Sequence, residues 1–400
     1  MDPVTLYNRW AEENGKVKTV QGFETWKQSF MAVLSENLGA PYQLALTPLA
    51  DLTPQELVVE KMGLKPIRRE QLEQIIYKQM MEQGLREPLE AVGDAWPDRL
   101  GASIDFRKHP LNPLTPVKNQ VNCGSCYMFG CVAALECFLS INVLRRSLPA
   151  SIAVQPLLSC SVGRDGAYGC EGGEQYTTCE KILAPCFQRG GGVYTETAMP
   201  YVFLQKTVSD ACDFQMSCAE RMSLECRSKK ATGSCNVCMP ACAGSAGTPL
   251  LGCALASDPR RLAITANVRT QVIPFPGGLR AQYDARDKVY YDTLKKFGPF
   301  PVCVQAGVTT NSSTARKTVD PWPLYKKGLL TPSLMERYSS SSPINHLILL
   351  VGATRDAWIC RNSWDRTWGE GGYVYIPRGK QWGSCGAWAI VSSEPIVFIL

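Results

Sequence analysis

The sequence predicts an α+β fold with two lobes. Apart from Gly130, residues 126–139 are expected to be apolar on all sides, which is typical of a buried helix. From about Leu262 onward, short apolar or alternating runs indicate strands instead. A helix-rich half followed by a strand-rich half is the pattern expected of an α+β protein.

Residues 1–65 are predicted to form a helical N-terminal domain. Apolar residues recur there at spacings of three and four, an amphipathic pattern formed by Trp10, Phe23, Trp26, Phe30, Val33 and Leu34. The short run 42–46 predicts a strand. The segment 53–56, Thr-Pro-Gln-Glu, predicts a helix start, with proline at the first position and a capping-box glutamate.

Residues 66–95 are charged, rich in Glu and Gln and free of cysteine, which indicates a connector. One face of a surface helix within it would be formed by Ile75, Ile76, Met80 and Met81. The composition changes at Trp96-Pro97, where the cysteine-bearing domain, residues 96–400, is expected to begin. Strands of its second half are predicted at 263–266, 301–304, 347–351 and 372–376.

Residues 213–258 form a Gly/Ser/Ala-rich insertion that is crowded with cysteines and has little periodicity. A segment of this kind cannot bury a core and needs cross-links. We expect disulfides among its cysteines. Zinc binding by Cys226, Cys235, Cys238 and Cys242 is the alternative, although no histidine lies nearby.

The composition is that of an ordinary globular protein, with 45% hydrophobic and 20% charged residues. The net charge of +6 is spread along the chain without a Lys/Arg run, so we expect no nucleic-acid partner. No apolar stretch is expected to approach the ~18 residues of a membrane span, so we expect no membrane partner.

The 18 cysteines predict an oxidising compartment, because reduced compartments rarely hold so many without a metal role. The first residues nevertheless lack the basic head and apolar core of a secretion signal. We expect a leader that is absent from this sequence; the alternative is that the cysteines stay reduced. A glycosylation sequon at Asn311 agrees with secretory passage.

The strongest indication of chemistry is Cys126 together with one histidine. The chain has only two histidines, and His109 lies in a polar, proline-flanked stretch. A cysteine attacks an acyl carbon as the thiolate, so it needs an imidazole that takes its proton. His346 is the candidate base, and Asn362 would hold its ring in one orientation.

Cys126 would stand in the first turn of the buried helix, where the helix N-terminus favours negative charge. The oxyanion that develops on the substrate needs hydrogen-bond donors. The side chain of Gln120 and the backbone N–H of Cys126 are the candidates.

These residues and their neighbours resemble the papain family of cysteine proteases, in its cathepsin L-like proenzyme type with an I29-type inhibitory prodomain. Gln120, Cys126, His346 and Asn362 fall where the family has its oxyanion-hole glutamine, nucleophile, base and orienting asparagine. The resemblance rests also on the flanking motifs Cys123-Gly124-Ser125-Cys126-Tyr127, Ile104-Asp105-Phe106-Arg107, Gly169-Cys170-Glu171-Gly172-Gly173 and Asn362-Ser363-Trp364.

The resemblance implies a papain-like fold with a helical left lobe, a β-barrel-like right lobe and a cleft between them. It implies hydrolysis of proteins or peptides through an acyl-enzyme thioester, without a cofactor or metal. The implied substrate-binding residues are Gly124, Gly172, Gly173, Leu347, Trp364 and Ile390. Because Leu347 and Ile390 are apolar and bulky, we expect an apolar residue such as Leu, Val or Phe at substrate position P2, rather than Arg.

By the same resemblance, residues 1–65 would be an intramolecular inhibitor and 66–95 its linker. The segment after Asp51 would run backwards through the cleft until cleavage near Trp96; a plain helical accessory domain is the alternative. Cystatin-like inhibitors are expected as further partners. The protein is expected to be a monomer, in a lysosomal or vacuolar compartment or secreted.

Two disulfides of the family are matched, Cys123–Cys170 and Cys160–Cys212. A third is not, because the expected partner of Cys385 falls near Ser333. Without Cys126 the number of cysteines is odd, so at least one more thiol is free. Buried thiols are expected at Cys303 and Cys360, and Cys131 and Cys137 could be free as well.

Departures from the family pattern keep a second function open, that of a catalytically weak or inactive homologue acting as a binding protein. Besides the unmatched Cys385, they are Phe106 and Tyr127 in place of Trp, Gly130 in the Cys126 helix and Asp365 in place of Gly. A transglutaminase or acyltransferase with the same triad is a third alternative, against which the prodomain and the spacing of Gln120 argue.

Overall fold

The computed structural model describes residues 2–82, 94–161, 166–190, 192–201, 261–262, 264–306, 320–332 and 344–400. Several expectations lie outside the described residues: the insertion 213–258, the Cys160–Cys212 disulfide, the sequon at Asn311 and the position of Ser333.

The N-terminal domain is helical, as predicted, and its helices are Pro3–Glu13, Val20–Glu36 and Pro54–Lys61. The first two pack through Trp10 and Trp26, whose ring centroids are 6.3 Å apart. The third begins where the sequence predicts, because Thr53 and Glu56 form a reciprocal capping box that satisfies free N–H groups of the first turn.

One strand pair attaches the N-terminal domain to the strand-rich half of the chain. Tyr42–Leu44 pairs antiparallel with Tyr325–Gly328. Beside this pair, the Thr47 hydroxyl donates a hydrogen bond of 2.6 Å to the carbonyl of Pro323. The domain is therefore held by backbone hydrogen bonds as well as by side-chain packing.

The connector contains one helix, Arg69–Glu82. Ile75 and Ile76 pack against the helical lobe, whereas Met80 and Met81 are exposed. The predicted surface helix is therefore present, and of these four residues only the two isoleucines contact the core.

The helix Cys126–Phe138 is the centre of the helical lobe, and every residue in it is buried. It continues as a π-helix, Leu139–Leu144. Together they form 19 residues with a mean hydropathy of 1.7, long and apolar enough to span a membrane by composition alone. The expectation that no stretch approaches this length is thus wrong. Because 83% of the apolar window is buried inside the protein, it serves here as the core helix.

Glu136 interrupts the apolar surface of this helix, so the helix is not apolar all round. Its fully buried carboxylate pairs with the Lys118 ammonium at 2.8 Å and accepts a hydrogen bond of 2.7 Å from the Ile152 amide. The Arg361 guanidinium lies 4.0 Å from it. Several partners thus offset the desolvation of one buried charge.

A five-stranded antiparallel sheet forms the strand-rich lobe. It contains Tyr373–Pro377, Ala357–Arg361, His346–Ala353 and Ile104–Asp105 in this order, and Phe300–Val304 pairs with His346–Ala353. The expected strands at 301–304, 347–351 and 372–376 are confirmed. Near the expected strand 263–266, short strands lie instead at Arg261–Leu262 and Arg269–Val272. The sequence reading missed Ala357–Arg361, Ile396–Ile399 and the helix Tyr283–Phe297.

The strand His346–Ala353 lies against the helix Cys126–Phe138, and Gly130 is the point of close approach. A Cβ atom on Gly130 would lie 3.1 Å from a methyl carbon of Leu347. The glycine at position 130, which departs from the family pattern, is therefore explained by the close packing against Leu347. It lets helix and strand meet closely, which brings Cys126 and His346, the first residues of these two elements, to the same region.

Candidate active site

Cys126 begins the buried helix, and its side chain is fully covered. Its sulfur accepts a hydrogen bond of 3.3 Å from the backbone N–H of Gly63, in the N-terminal domain. Burial raises the pKa of the Cys126 thiol to about 11, although the N–H groups of Gly63 and Leu347 act in the opposite direction. In this closed arrangement the group is a neutral thiol at neutral pH.

His346 and Asn362 are brought together as the sequence predicts. His346 Nε2 lies 2.8 Å from Asn362 Oδ1, and both side chains are buried. The ring of Trp364 covers this contact, with its centroid 4.9 Å from that of the imidazole. Burial lowers the pKa of His346 to about 4; the charge of Lys61 acts in the same direction and the hydrogen bond to Asn362 against it.

The second ring nitrogen of His346 lies beside the N-terminal domain. Nδ1 is buried and makes no hydrogen bond of normal geometry to the described residues, although the Lys61 backbone lies beside the ring. Because Asn362 engages Nε2, the ring is oriented with Nδ1 as its remaining acceptor or donor.

The Gln120 side chain is fixed by its neighbour Ser363. The Ser363 hydroxyl donates to Gln120 Oε1 at 2.6 Å, and the Gln120 backbone N–H donates to the Ser363 carbonyl at 2.9 Å. The amide nitrogen Nε2 therefore points the other way, to the carbonyls of Cys123 at 2.7 Å and Lys61 at 3.1 Å. Ser363 was not among the predicted site residues, although it follows Asn362 directly.

Residues 63–65 of the N-terminal domain fill the groove along Gly173. The Gly173 N–H donates to the Gly63 carbonyl at 2.8 Å, and the Lys65 N–H donates to the Gly173 carbonyl at 2.9 Å. Leu64 thereby pairs with Gly173 in parallel, and its own N–H donates to the Asn345 carbonyl at 3.1 Å. The segment is held on both sides of the groove.

Gly124 and Gly172 leave the space that Gly63 occupies. A Cβ atom on Gly63 would lie 1.5 Å from the Gly124 carbonyl oxygen, and one on Gly172 would lie 2.3 Å from the Gly63 carbonyl oxygen. The expected disulfide Cys123–Cys170 is present and joins the chain segments beside these glycines. Three backbones therefore meet here with no room for side chains.

The residues expected to form the P2 pocket fall into two buried apolar clusters. Leu64 and Leu347 belong to one buried apolar cluster. Ile390 is fully buried in the other, together with Trp322 and Trp388. The expected role of Ile390 as a wall of this pocket therefore has no support from the described residues.

Lys61 was missed in the sequence and lies within the site. It is 4% exposed, and its ammonium donates to the Val121 carbonyl at 2.5 Å and to Asn122 Oδ1 at 3.3 Å. Burial lowers the pKa of Lys61 to about 8. Val121 has φ of +49°, a left-handed conformation that is unusual for a β-branched residue and that marks this turn as strained.

His109 plays a structural part, as its sequence context suggested. Its Nε2 lies 3.0 Å from the Ala95 carbonyl, its Nδ1 accepts a hydrogen bond from Leu111, and its ring stacks on Phe106. Among the described residues, free thiols include the expected Cys131, Cys137, Cys303, Cys360 and Cys385.

Curated relatives align with most of this chain at low identity. Cathepsin K of Mus musculus is 24% identical over 385 residues, which cover 93% of this chain and 86% of the relative. The KDEL-tailed cysteine endopeptidase CEP2 of Arabidopsis thaliana is 25% identical over 404 residues, which cover 98% of this chain and 85% of the relative.

Solved structures that include pro-segments share the fold. Digestive procathepsin L 3 of Tenebrio molitor larval midgut superposes with a TM-score of 0.60 at 18% identity, and the match covers 100% of both chains. A recombinant stem bromelain precursor superposes with a TM-score of 0.59 at 19% identity, covering 100% of this chain and 99% of that one. The model of the papain family cysteine proteases matches residues 100–241 and 292–394, more than half of the sequence. On this match and the shared fold, the chain belongs to the papain family of cysteine proteases.

Proposed function

We propose that the chain is the zymogen of a Cys-His-Asn endopeptidase, with Cys126 as nucleophile, His346 as base and Asn362 as the residue that orients the base. The main support is the contact between the Gly63 N–H and the Cys126 sulfur. The chain's own backbone thus covers a thiol that stands at a helix N-terminus, next to the strand that begins with His346.

In the open enzyme, His346 Nδ1 takes the thiol proton, and the thiolate attacks the carbonyl carbon of the substrate. The tetrahedral oxygen accepts hydrogen bonds from Gln120 Nε2 and the Cys126 N–H. His346 then gives the proton to the leaving amine, which leaves a thioester. Water, activated by the same imidazole, hydrolyses the thioester and restores the thiol.

The N-terminal segment acts as an inhibitor because it offers the sulfur no electrophile. The sulfur meets the N–H of Gly63, while the carbonyl beside Gln120 Nε2 belongs to Lys61, two residues earlier. Attack on a peptide carbonyl requires both contacts to fall on the same carbonyl group. The segment therefore occupies the site without being aligned for cleavage.

Processing is proposed on the N-terminal side of Ala95 rather than at Trp96. Ala95 and Trp96 are both buried, and their N–H groups donate to the carbonyls of Lys296 and Lys295. The Trp96 ring also packs edge-on against Phe106. On the strength of these contacts, residue 95 onward is proposed to belong to the catalytic domain, and residues 1–94 to the part removed.

Leu64 supports the proposed preference for Leu, Val or Phe at P2. Its side chain is buried next to Gly173, in the same apolar cluster as Leu347. Burying the charge of an arginine at this apolar position would cost free energy, whereas a leucine is accommodated. A lysosomal, vacuolar or secreted location is proposed on the strength of the Cys123–Cys170 disulfide, and cystatin-like partners and a monomeric state on the family resemblance.

The test uses the full chain and Cys126→Ala, incubated at acidic pH with an epoxide-type thiol probe. We expect processing upstream of residue 95 and labelling that depends on Cys126, followed by cleavage of peptides with apolar P2 residues in a P2 library. Failure to label after proteolytic removal of the N-terminal domain would favour the inactive homologue. Preference for Arg at P2 would overturn the specificity and leave the mechanism intact.

A further inference from the structure

Three buried thiols that play no part in the proposed mechanism meet around Gln175 in the helical lobe. The Cys131 thiol donates to the Gln175 backbone carbonyl at 3.7 Å, and the Cys303 thiol donates to Gln175 Oε1 at 3.2 Å. Cys179, about one turn after Gln175, is in hydrogen-bond contact with Cys131 through its side chain. Cys131 and Cys179 are 0% and 1% exposed.

The surroundings favour a cross-link over a metal site. Among the residues that the structure describes, no group of three or more His, Cys, Asp and Glu side chains is arranged to hold a metal. The Gln175 amide nitrogen donates to the Pro301 carbonyl at 2.9 Å, which directs the amide oxygen at the Cys303 thiol and leaves Cys131 in contact with Cys179.

Cys131 and Cys179 have nearly the same spacing from Cys123 and Cys170, which form the disulfide already present. Cys131 follows Cys123 by eight residues, and Cys179 follows Cys170 by nine. The Cys123–Cys170 bond holds these same two chain segments together at their start. A bond between Cys131 and Cys179 would therefore be a second disulfide between the segments 123–131 and 170–179, which the first disulfide already joins.

We propose that Cys131 and Cys179 are an oxidisable pair that forms a second disulfide, tying the Cys126 helix to the helical segment Thr178–Leu183. The reaction is thiol–disulfide exchange with an external disulfide, either a glutathione-type molecule or a disulfide oxidoreductase. The two thiols lose two protons and two electrons and form one S–S bond. The oxidant gains them, and its disulfide becomes two thiols. Cys303 stays a thiol that donates its hydrogen bond to Gln175 Oε1.

Burial sets the time at which this bond forms. Neither sulfur is accessible in the folded lobe, so exchange occurs while the chain is folding and the lobe is still open. Once the lobe has closed, external reductants cannot reach the bond. The helix that begins at Cys126 would then be anchored twice, beside its first turn and again in its second.

The test refolds the reduced full chain in mixed reduced and oxidised glutathione. Thiols are then alkylated under denaturing conditions, and the unreduced digest is analysed by mass spectrometry. We expect a linked Cys131–Cys179 peptide in nearly every molecule that contains the Cys123–Cys170 bond. Cys137 and Cys360, buried thiols that belong to neither pair, are the internal controls and should be fully alkylated.

Full alkylation of Cys131 and Cys179 in molecules with a closed Cys123–Cys170 bond would overturn the proposal, as would a peptide that links either one to Cys303. Cys131→Ala and Cys179→Ala should each abolish the linked peptide and leave the other cysteine alkylated. The wild-type measurement needs no variant to fold, so the proposal is tested even if both alanine variants aggregate.

Discussion

The backbone N–H of Gly63 lies 3.3 Å from the sulfur of Cys126 and donates a hydrogen bond to it. The two residues belong to different domains, so the contact couples the position of the N-terminal domain to the state of the thiol. A thiol that is covered and neutral in this way is a poor nucleophile.

Gly63→Ala should expose the thiol. The added Cβ atom would lie 1.5 Å from the Gly124 carbonyl oxygen, which is backbone and cannot turn away, so the segment must leave the groove. We expect the epoxide probe to label Cys126 in the unprocessed variant at least 10-fold faster at neutral pH. Gly39→Ala is the matched control, because no heavy atom lies within 4 Å of its added Cβ. Equal rates in the two variants would contradict the proposed inhibition.

The stability of the closed chain should fall in acid through His346. Its pKa is about 4 here against 6.5 for a free imidazole, so burial favours the neutral ring. The stabilisation that the neutral ring provides is present above pH 6.5 and is lost as the pH falls through 4. Denaturant titrations of the full chain should lose at most about 3 kcal/mol of unfolding free energy over this window. His346→Asn should lose distinctly less; the same loss in both would exclude the histidine as its source.

Lys61→Met should weaken the closed state at every pH below 8. The substitution keeps the buried stem but leaves the Val121 carbonyl and Asn122 Oδ1 without their donor, at a cost of about 1–3 kcal/mol. Because the pKa of Lys61 is lowered to about 8, its contribution changes only between pH 10.5 and 8 and is constant in acid. We expect about 10-fold faster labelling of Cys126, by the same factor at pH 5 and pH 7. The exposed Lys78→Met is the control, and a factor that grows in acid would contradict this explanation.

Ser363→Ala should reduce turnover without a matching loss of binding. The Ser363 hydroxyl holds Gln120 Oε1, so its removal lets the amide rotate away from the position proposed for the oxyanion. In the processed enzyme we expect kcat to fall about 10-fold with KM nearly unchanged, whereas Gln120→Ala should cost about 10²–10³ in kcat. Ser384→Ala, at an exposed site, should retain full activity. A change in KM alone would indicate a different role.

Glu136→Gln should be strongly destabilising. It would leave the Lys118 ammonium and the Arg361 guanidinium, which are mostly buried, without their shared carboxylate. Breaking a buried charge network in this way costs about 3 kcal/mol or more. Glu82→Gln removes an exposed partner of Lys78 and should change the unfolding free energy by less than about 1 kcal/mol. Urea unfolding of both variants checks the difference.

The parts of the site that could be predicted are those indicated by short motifs of neighbouring residues. Cys126, His346 and Asn362 each lie at the end of a helix or strand with recognisable neighbours, and Thr53 with Glu56 signals a helix start through four consecutive residues. Such signals need no knowledge of the tertiary contacts.

The parts that could not be predicted arise from contacts between distant segments. Lys61 has the sequence context of a surface lysine in the last turn of a helix, and only its docking against Val121, far along the chain, buries it. The position of Ile390 beside Trp388 likewise depends on a turn that the spacing from Cys385 does not determine, and its place in the P2 pocket stays a prediction.

The strand pair between Tyr42–Leu44 and Tyr325–Gly328 has a consequence for the processed enzyme. Loss of the N-terminal domain would remove the strand that pairs with Tyr325–Gly328. The N–H and C=O groups freed in this way could form hydrogen bonds with another extended chain. The two central residues of that strand are Lys326 and Lys327, both exposed. Charged side chains on an edge discourage pairing between copies, so activation would uncover a strand that already carries its own protection against aggregation.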